Sequence, residues 1–152
     1  DEELTKKTIT PEGWFKTGDL GVFDEDNNLH IKGRIKNVII SSNGENIYPE
    51  EIESLINNYR YVVESLVIEQ KGKLVAFVHF NREELEKRYE HLRSEVSLFV
   101  ESKIEELKQD LHDYVNKKVN KFSRIQKVEL QPAPFKKTAT HKIKRFLYKN
   151  AL

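Results

Sequence analysis

Apolar positions alternate on both sides of one turn near residue 26, gather into short runs up to residue 80, and recur every three to four residues after residue 81, so strands give way to helix. Val22-Phe23 and Leu29-His30-Ile31 flank the turn cluster Asp24-Glu25-Asp26-Asn27-Asn28, which predicts a β-hairpin. Ile52, Leu55 and Ile56 form a short helical stripe. Val62-Val63 with Leu66-Val67-Ile68, then Gln70-Lys71-Gly72-Lys73, then Leu74 to Phe80, predict a second hairpin. Asn81 caps the next helix, with Glu84 placed for a capping box. Apolar residues then recur from Leu85 to Val119 in steps of three and four with no Gly or Pro between them. This predicts one very long helix, or two with a joint near Arg93-Ser94. Ile125 and Lys127 to Leu130 read as a last strand, Gln131-Pro132-Ala133-Pro134 breaks it, and Ile143 to Leu152 reads as a short closing helix. Residues 1–12 read as a linker or the end of a preceding element.

Between the hairpins, Gly33 to Glu53 joins three kinds of segment without a spacer. A glycine-led cationic turn, Gly33 to Asn37, runs into Val38-Ile39-Ile40; a polar loop with Gly44 follows, and Pro49-Glu50-Glu51 opens a helix. The sequence suits contact with an anion, although a plain strand–loop–helix connection explains the spacing equally well. Upstream, glycines around Thr17 and Asp19 leave little side-chain cover, so the Asp19 carboxylate is either displayed to a ligand or closes a turn.

Composition narrows the choices. The 152 residues are 38% hydrophobic and 34% charged, enough for one real core with a large polar surface. The formal charge of +1 provides no global field toward nucleic acid or membrane. The absence of cysteine excludes disulfides and thiolate metal sites. No apolar run has the length of a membrane span and the charged start is not a signal peptide, so a cytoplasmic location is the default expectation. A chain that begins at Asp1 and contains no Met is expected to be a processed or cut piece of something longer.

The five histidines lack metal-ligand spacing, and no nucleophile elbow, Walker loop or dinucleotide fingerprint occurs, so no metal site is expected. Phe135 to Lys149 carries Lys136, Lys137, Lys142, Lys144, Arg145 and Lys149 with no acid. Three readings stay open for it: a solvated terminus, a nucleic-acid patch using Phe135, Phe146 and Tyr148, or a phosphate-handling loop with one lysine at its tip.

Taken in order, three segments resemble the carboxyl end of the acyl-adenylate-forming (AMP-binding) enzymes, the acyl-CoA synthetases, adenylation domains and luciferases. Gly13-Trp14-Phe15-Lys16-Thr17-Gly18-Asp19 resembles the family's Trp/Tyr-x-x-Thr-Gly-Asp segment. Gly33-Arg34-Ile35-Lys36-Asn37 through Glu53 resembles its hinge and glycine loop. Pro134 to Thr138, Thr140, Lys142-Ile143 and Arg145 resemble its Pro-Lys-Thr-x-x-Gly-Lys-Ile-x-Arg motif. The enlarged helical region and the wording Ile-Ile-Ser-Ser-Asn-Gly-Glu-Asn are most like the long-chain fatty-acid CoA ligases. Two positions depart from the pattern: His141 stands where the family has Gly, and Asn37 replaces a common acid. Lys121-Phe122-Ser123-Arg124 occupies the place of a Pro-rich loop.

The resemblance implies an α+β fold: a small mixed sheet with flanking helices, one of them long, plus an N-terminal β-hairpin left over from a large domain. It divides the chain into residues 1–35, the end of that large domain, and residues 36–152, a small mobile domain. It implies that Asp19 accepts hydrogen bonds from the ribose hydroxyls and Arg34 holds the nucleotide. Lys36 would be the hinge between two half-reactions, Gly44 would line the pantetheine tunnel, and Lys142 would be the adenylation lysine with Lys144 as the alternative. The substrates would be a fatty acid, ATP with Mg²⁺, and CoA, and the partner would be the chain's own N-terminal domain, with peripheral membrane contact open for a lipid substrate. The family's phosphate loop and acyl pocket belong to that domain, so the isolated chain is expected to be inactive. Two other classes remain as alternatives: a basic α/β module binding nucleic acid through residues 135–149, and an interaction module docking through the long helix.

Overall fold

The computed structural model describes residues 1–91 and 96–149. A short helix, α1 (Glu2–Thr8), is capped by the Asp1 carboxylate, which accepts from the Glu3 and Leu4 amides; residues 1–12 are therefore not wholly a linker. Strands β1 (Asp19–Phe23) and β2 (Leu29–Arg34) form the expected hairpin, whose turn is organised by Asp24 accepting from the Asp26 and Asn28 amides. A 3-10 turn, Ile35–Asn37, leads to the two-residue strands β3 (Ile39–Ile40) and β4 (Asn46–Ile47). Helix α2 (Pro49–Asn57) starts at the proline and carries Glu50 and Glu51 in its first turn, where acids favour the positive end of the helix dipole.

The main sheet has three strands in the order β5-β6-β7. Strands β5 (Val62–Gln70) and β6 (Lys73–Phe80) pair antiparallel, and β7 (Lys127–Leu130) joins β6 in parallel. A parallel neighbour requires a long crossover, supplied by α3 (Arg82–Tyr89) and α4 (Val96–Lys118). Asn81 accepts from the Glu84 amide as expected. The return contact comes from its side-chain amide to the Glu84 carboxylate, because the Asn81 backbone N–H donates to the Tyr61 carbonyl instead. The joint expected near Arg93-Ser94 lies outside the described residues. Among the described residues no helix is long and apolar enough to cross a membrane.

The two faces of this sheet have different coverings. On one, Val67, Ala76, Val78 and Val128 meet Ile52 and Ile56 of α2 and the α4 stripe Val100, Ile104, Leu107, Leu111 and Val115. The i, i+4 and i, i+3 steps of that stripe place one apolar face on the sheet. On the other face, Leu66 and Ile68 are covered by Phe135, Ile143 and Tyr148 of the C-terminal segment. That segment contains only a 3-10 turn, Arg145–Leu147, in place of the expected closing helix, while residues 150–152 of that expectation lie outside the described residues. Its polar atoms are used in hairpin bonds and ion pairs to the sheet edge, which hold it extended. The fold is α+β, as expected.

Candidate functional site

Residues far apart in sequence line one open cleft of about 1020 Å³, among them Asp19, Arg34, Lys36, Glu50, Glu53 and Lys142. Asp19 and Arg34 face each other across the β1–β2 ladder, with Arg34 Nε 2.9 Å from Asp19 Oδ1. The guanidinium thus holds the carboxylate that the sequence left as either displayed or turn-closing: it is both partly exposed and paired. Lys36 is exposed within the 3-10 turn that connects this hairpin to the rest of the fold. Its neighbour Asn37 donates to Glu50 Oε1 at 2.5 Å, and Lys32 Nζ lies 2.7 Å from Glu51, so β2 and α2 are joined by polar contacts on either side of the turn. The Glu51 carboxylate raises the pKa of Lys32 by hydrogen bonding and by its charge.

Lys142 sits at the end of a tight turn. Lys137 and Ile143 form an antiparallel bridge, the Thr138 amide donates to the Lys142 carbonyl at 2.8 Å, and the Lys142 amide donates to Thr138 Oγ1 at 3.2 Å. Thr138 and Thr140 hydroxyls lie 3.0 Å apart beneath it. His141 has φ +59°, the left-handed conformation that a glycine adopts without cost. The family position expected to be glycine is therefore a real conformational requirement, met here by a residue that tolerates it at some strain. Lys142 is exposed on the cleft. Lys32, Arg34 and Arg145 are neutralised by Glu51, Asp19 and Glu53, whereas Lys36, Lys142, Lys144 and Lys149 have no carboxylate partner among the described residues. The cleft thus offers a net positive wall to a phosphate.

Gly44 is elsewhere. It occupies the β3–β4 turn at φ +78°, where Ser41 and Glu45 close the loop, and it is not among the residues lining the cleft. A Cβ added there would meet nothing within 4 Å, so within this chain the turn alone requires the glycine.

Two residues that the sequence reading did not single out hold the C-terminal segment. Strand alternation puts Glu64 on the same face as Leu66 and Ile68, while a bulge at Val63 turns Val62 to the opposite, helix-covered face. Glu64 is buried there, accepts from the Phe135 amide at 2.7 Å and pairs with Lys137 Nζ at 2.5 Å. Glu53, buried on α2, accepts from the Val67 amide at 2.7 Å and pairs with Arg145, whose second nitrogen donates to the Val67 carbonyl at 3.3 Å. Val67 lies on the edge strand, and this closed ring satisfies both backbone groups that the sheet leaves free. Burial pushes the Glu53 carboxyl up; Arg145 opposes that shift without cancelling it. An acid inside the β-branched run Val62 to Ile68 was the available sequence signal for Glu64.

The described residues hold no group of three or more His, Asp or Glu side chains placed for a metal. Two aromatics of the basic stretch are folded in, Phe135 at 3% exposure stacking edge-on with the half-buried Tyr148 at 5.1 Å, which leaves Phe146 as its exposed aromatic.

The family model described as the AMP-binding enzyme C-terminal domain matches residues 36–150. The chain is 35% identical over 132 residues to 2-methylpropanoate–CoA ligase CCL4 of Humulus lupulus, covering 80% of this chain and 24% of that protein. It is 47% identical over 70 residues to the long-chain-fatty-acid–CoA ligase FadD13 of Mycobacterium tuberculosis, covering 43% of this chain and 14% of that one. Among solved structures, O-succinylbenzoate coenzyme A synthetase of Bacillus subtilis, in complex with ATP and magnesium, superposes with TM-score 0.71 at 25% identity, over 99% of this chain and 27% of that chain. The Mycobacterium tuberculosis fatty acyl CoA synthetase gives 0.57 at 31% identity, over 97% and 26%. The chain spans only 14% to 27% of the length of these relatives. With its fold, its three ordered motifs and these likenesses in agreement, the chain belongs to the family of AMP-binding enzyme C-terminal domains and is related to the acyl-CoA ligases.

Proposed function

We propose that this chain is the small mobile domain of an ATP-dependent acyl-CoA ligase, with the end of the large domain at residues 1–35 and the moving part at 36–152. The observation that carries this reading is the shared cleft: Asp19, Arg34, Lys36 and Lys142, distant in sequence, line one cationic surface. In the first half-reaction a carboxylate oxygen attacks the α-phosphorus of ATP, the bond to the bridging oxygen breaks, and pyrophosphate leaves with acyl-AMP formed. Lys142, as a point charge, stabilises the negative charge growing on the non-bridging oxygens. Asp19, oriented by Arg34, accepts from the ribose hydroxyls, and Mg²⁺ arrives on the triphosphate. In the second half-reaction the thiol of CoA attacks the acyl carbon and AMP leaves. Rotation about Lys36 exchanges the Lys142 turn for the Gly44 turn, which suits the separation of the two turns in this fold.

Fatty acid, long-chain in particular, is the substrate class we favour, supported by the FadD13 likeness; the relative named for 2-methylpropanoate keeps shorter acids in the test. In the full-length protein containing this chain, Lys142→Ala should lower pyrophosphate release about 10²–10³-fold and spare thioester formation from supplied acyl-adenylate. Unchanged pyrophosphate release would overturn the assignment of Lys142. A panel of acids from two carbons to long-chain should give its highest kcat/KM at the long end; a maximum on short or aromatic acids would overturn the fatty-acid reading alone. The chain expressed by itself should release no pyrophosphate.

A further inference from the structure

We propose that Glu53 and Glu64 are positioning residues for Lys142, fixing the reach of its turn into the cleft by gripping the chain on both sides of it. The proposal rests on the reading of Lys142 as the adenylation cation. Lys142 itself is exposed, and its own turn is closed by short-range hydrogen bonds that set its shape but not its place in the molecule. Its place is set by what holds the two strands of the turn. On the incoming side, Glu64 takes the Phe135 amide and the Lys137 ammonium; on the outgoing side, Glu53 takes the Arg145 guanidinium. The two carboxylates come from different elements, β5 and α2, and both are buried. Glu53 is also tied to the Val67 amide on the edge strand, so its carboxylate is not free to follow the loop. Beneath the turn the apolar contacts of Phe135, Ile143 and Tyr148 with Leu66 and Ile68 hold the segment on the sheet. Apolar contact of this kind is non-directional and permits sliding. The two ion pairs supply direction, since a guanidinium fork and a buried carboxylate that also accepts a backbone amide each restrict the geometry. A charge that must meet a transferring phosphoryl group gains from such fixing, because displacement by about 1 Å can cost on the order of 10²-fold in rate.

The test uses the full-length protein and separates a positioning role from a folding role. Glu64→Gln, Glu53→Gln and Lys137→Met should each lower pyrophosphate release from acid and MgATP by ten- to a hundredfold. Thioester formation from supplied acyl-adenylate and CoA should stay within about twofold. In a Lys142→Ala background the same substitutions should have no further effect on pyrophosphate release, because they act through that lysine. Glu64→Asp, which keeps the charge, should recover part of the loss. Parallel loss of both half-reactions, or a further loss of the same size on top of Lys142→Ala, would overturn the proposal. Lys137 is partly exposed, so Lys137→Met carries the test if a buried-carboxylate variant does not fold. If Lys142→Ala has no effect on its own, the functional reading fails first and this inference falls with it. If Lys142→Ala is slow and the clamp variants are not, only this inference fails.

Discussion

Asn37 Nδ2 donates to one oxygen of Glu50, and the other oxygen, Oε2, is buried without a partner against Gly33. The residue beside the proposed pivot is thereby fastened to the first turn of α2, and β2 passes close enough that a Cβ at Gly33 would stand 2.6 Å from Glu50 Oε2. Gly33→Ala is expected to destabilise the protein by about 1–3 kcal/mol by driving the Glu50 side chain off Asn37. Adding Glu50→Ala should recover only the part of that loss due to the side-chain clash, because Gly33 has φ +155°, which alanine rarely adopts. Chemical denaturation of the single and double variants measures it; additive losses would show that Glu50 is not the obstacle.

The buried pair of Glu53 and Arg145 gives a pH dependence of definite sign. The folded protein holds a proton on Glu53 more tightly than the unfolded chain does. The contribution of Glu53 to stability is therefore greatest at or below the usual Glu range and falls as pH rises through its raised value. Glu53→Gln retains the acceptor for Val67 and removes the titration. Its stability relative to the native protein should improve as pH rises from acid to neutral, followed by denaturant unfolding across that range. A trend in the other direction would show that Arg145 outweighs burial. On this reading the pair fixes geometry at a cost in stability, as buried ion pairs often do.

Asp24 behaves in the opposite way. It is lowered to about 2, first by its hydrogen bond with His30 and then by the Asn28 amide and side chain. The hairpin turn keeps this contribution above the usual Asp range and loses it as pH falls through about 2. Carboxyl-carbon NMR titration should give that midpoint, and His30→Ala should move it up toward the usual range; an unmoved midpoint would assign the shift to the backbone amides and the Asn28 side chain.

His141 stands at φ +59° directly before Lys142. His141→Gly should relieve the left-handed strain, stabilising the protein by up to about 1 kcal/mol, with little change in pyrophosphate release. Thermal unfolding checks the first and the adenylation rate the second. A loss of stability would mean that the imidazole makes a contact worth more than the strain.

Much of this was legible in the sequence because the signals were local. Both hairpins, the Pro49 start of α2, the Asn81 cap and the α4 stripe are each written within a few residues, and the three motifs identified the family. The closing helix was misread because its apolar spacing at Ile143, Phe146 and Leu147 imitates a helix, while the groups that hold the segment extended, Glu53 and Glu64, lie far away in the sequence. The Glu53–Arg145–Val67 ring was illegible for the same reason: it joins α2, an edge strand and the C-terminal segment. Glu64 was hidden likewise, since its partners Phe135 and Lys137 lie far along the chain.

The chain leaves β7 on one border of the sheet, yet the segment it enters is fastened at the opposite border, on β5. The lysine turn therefore takes its bearings from α2 and β5, which are complete before the helical crossover begins. Crossover length is thus separate from the placement of this turn, provided that the α4 stripe still covers the sheet and α2, β7 still reaches β6 and the chain can return. Variation outside that stripe can accumulate in the helical region without moving the Lys142 turn.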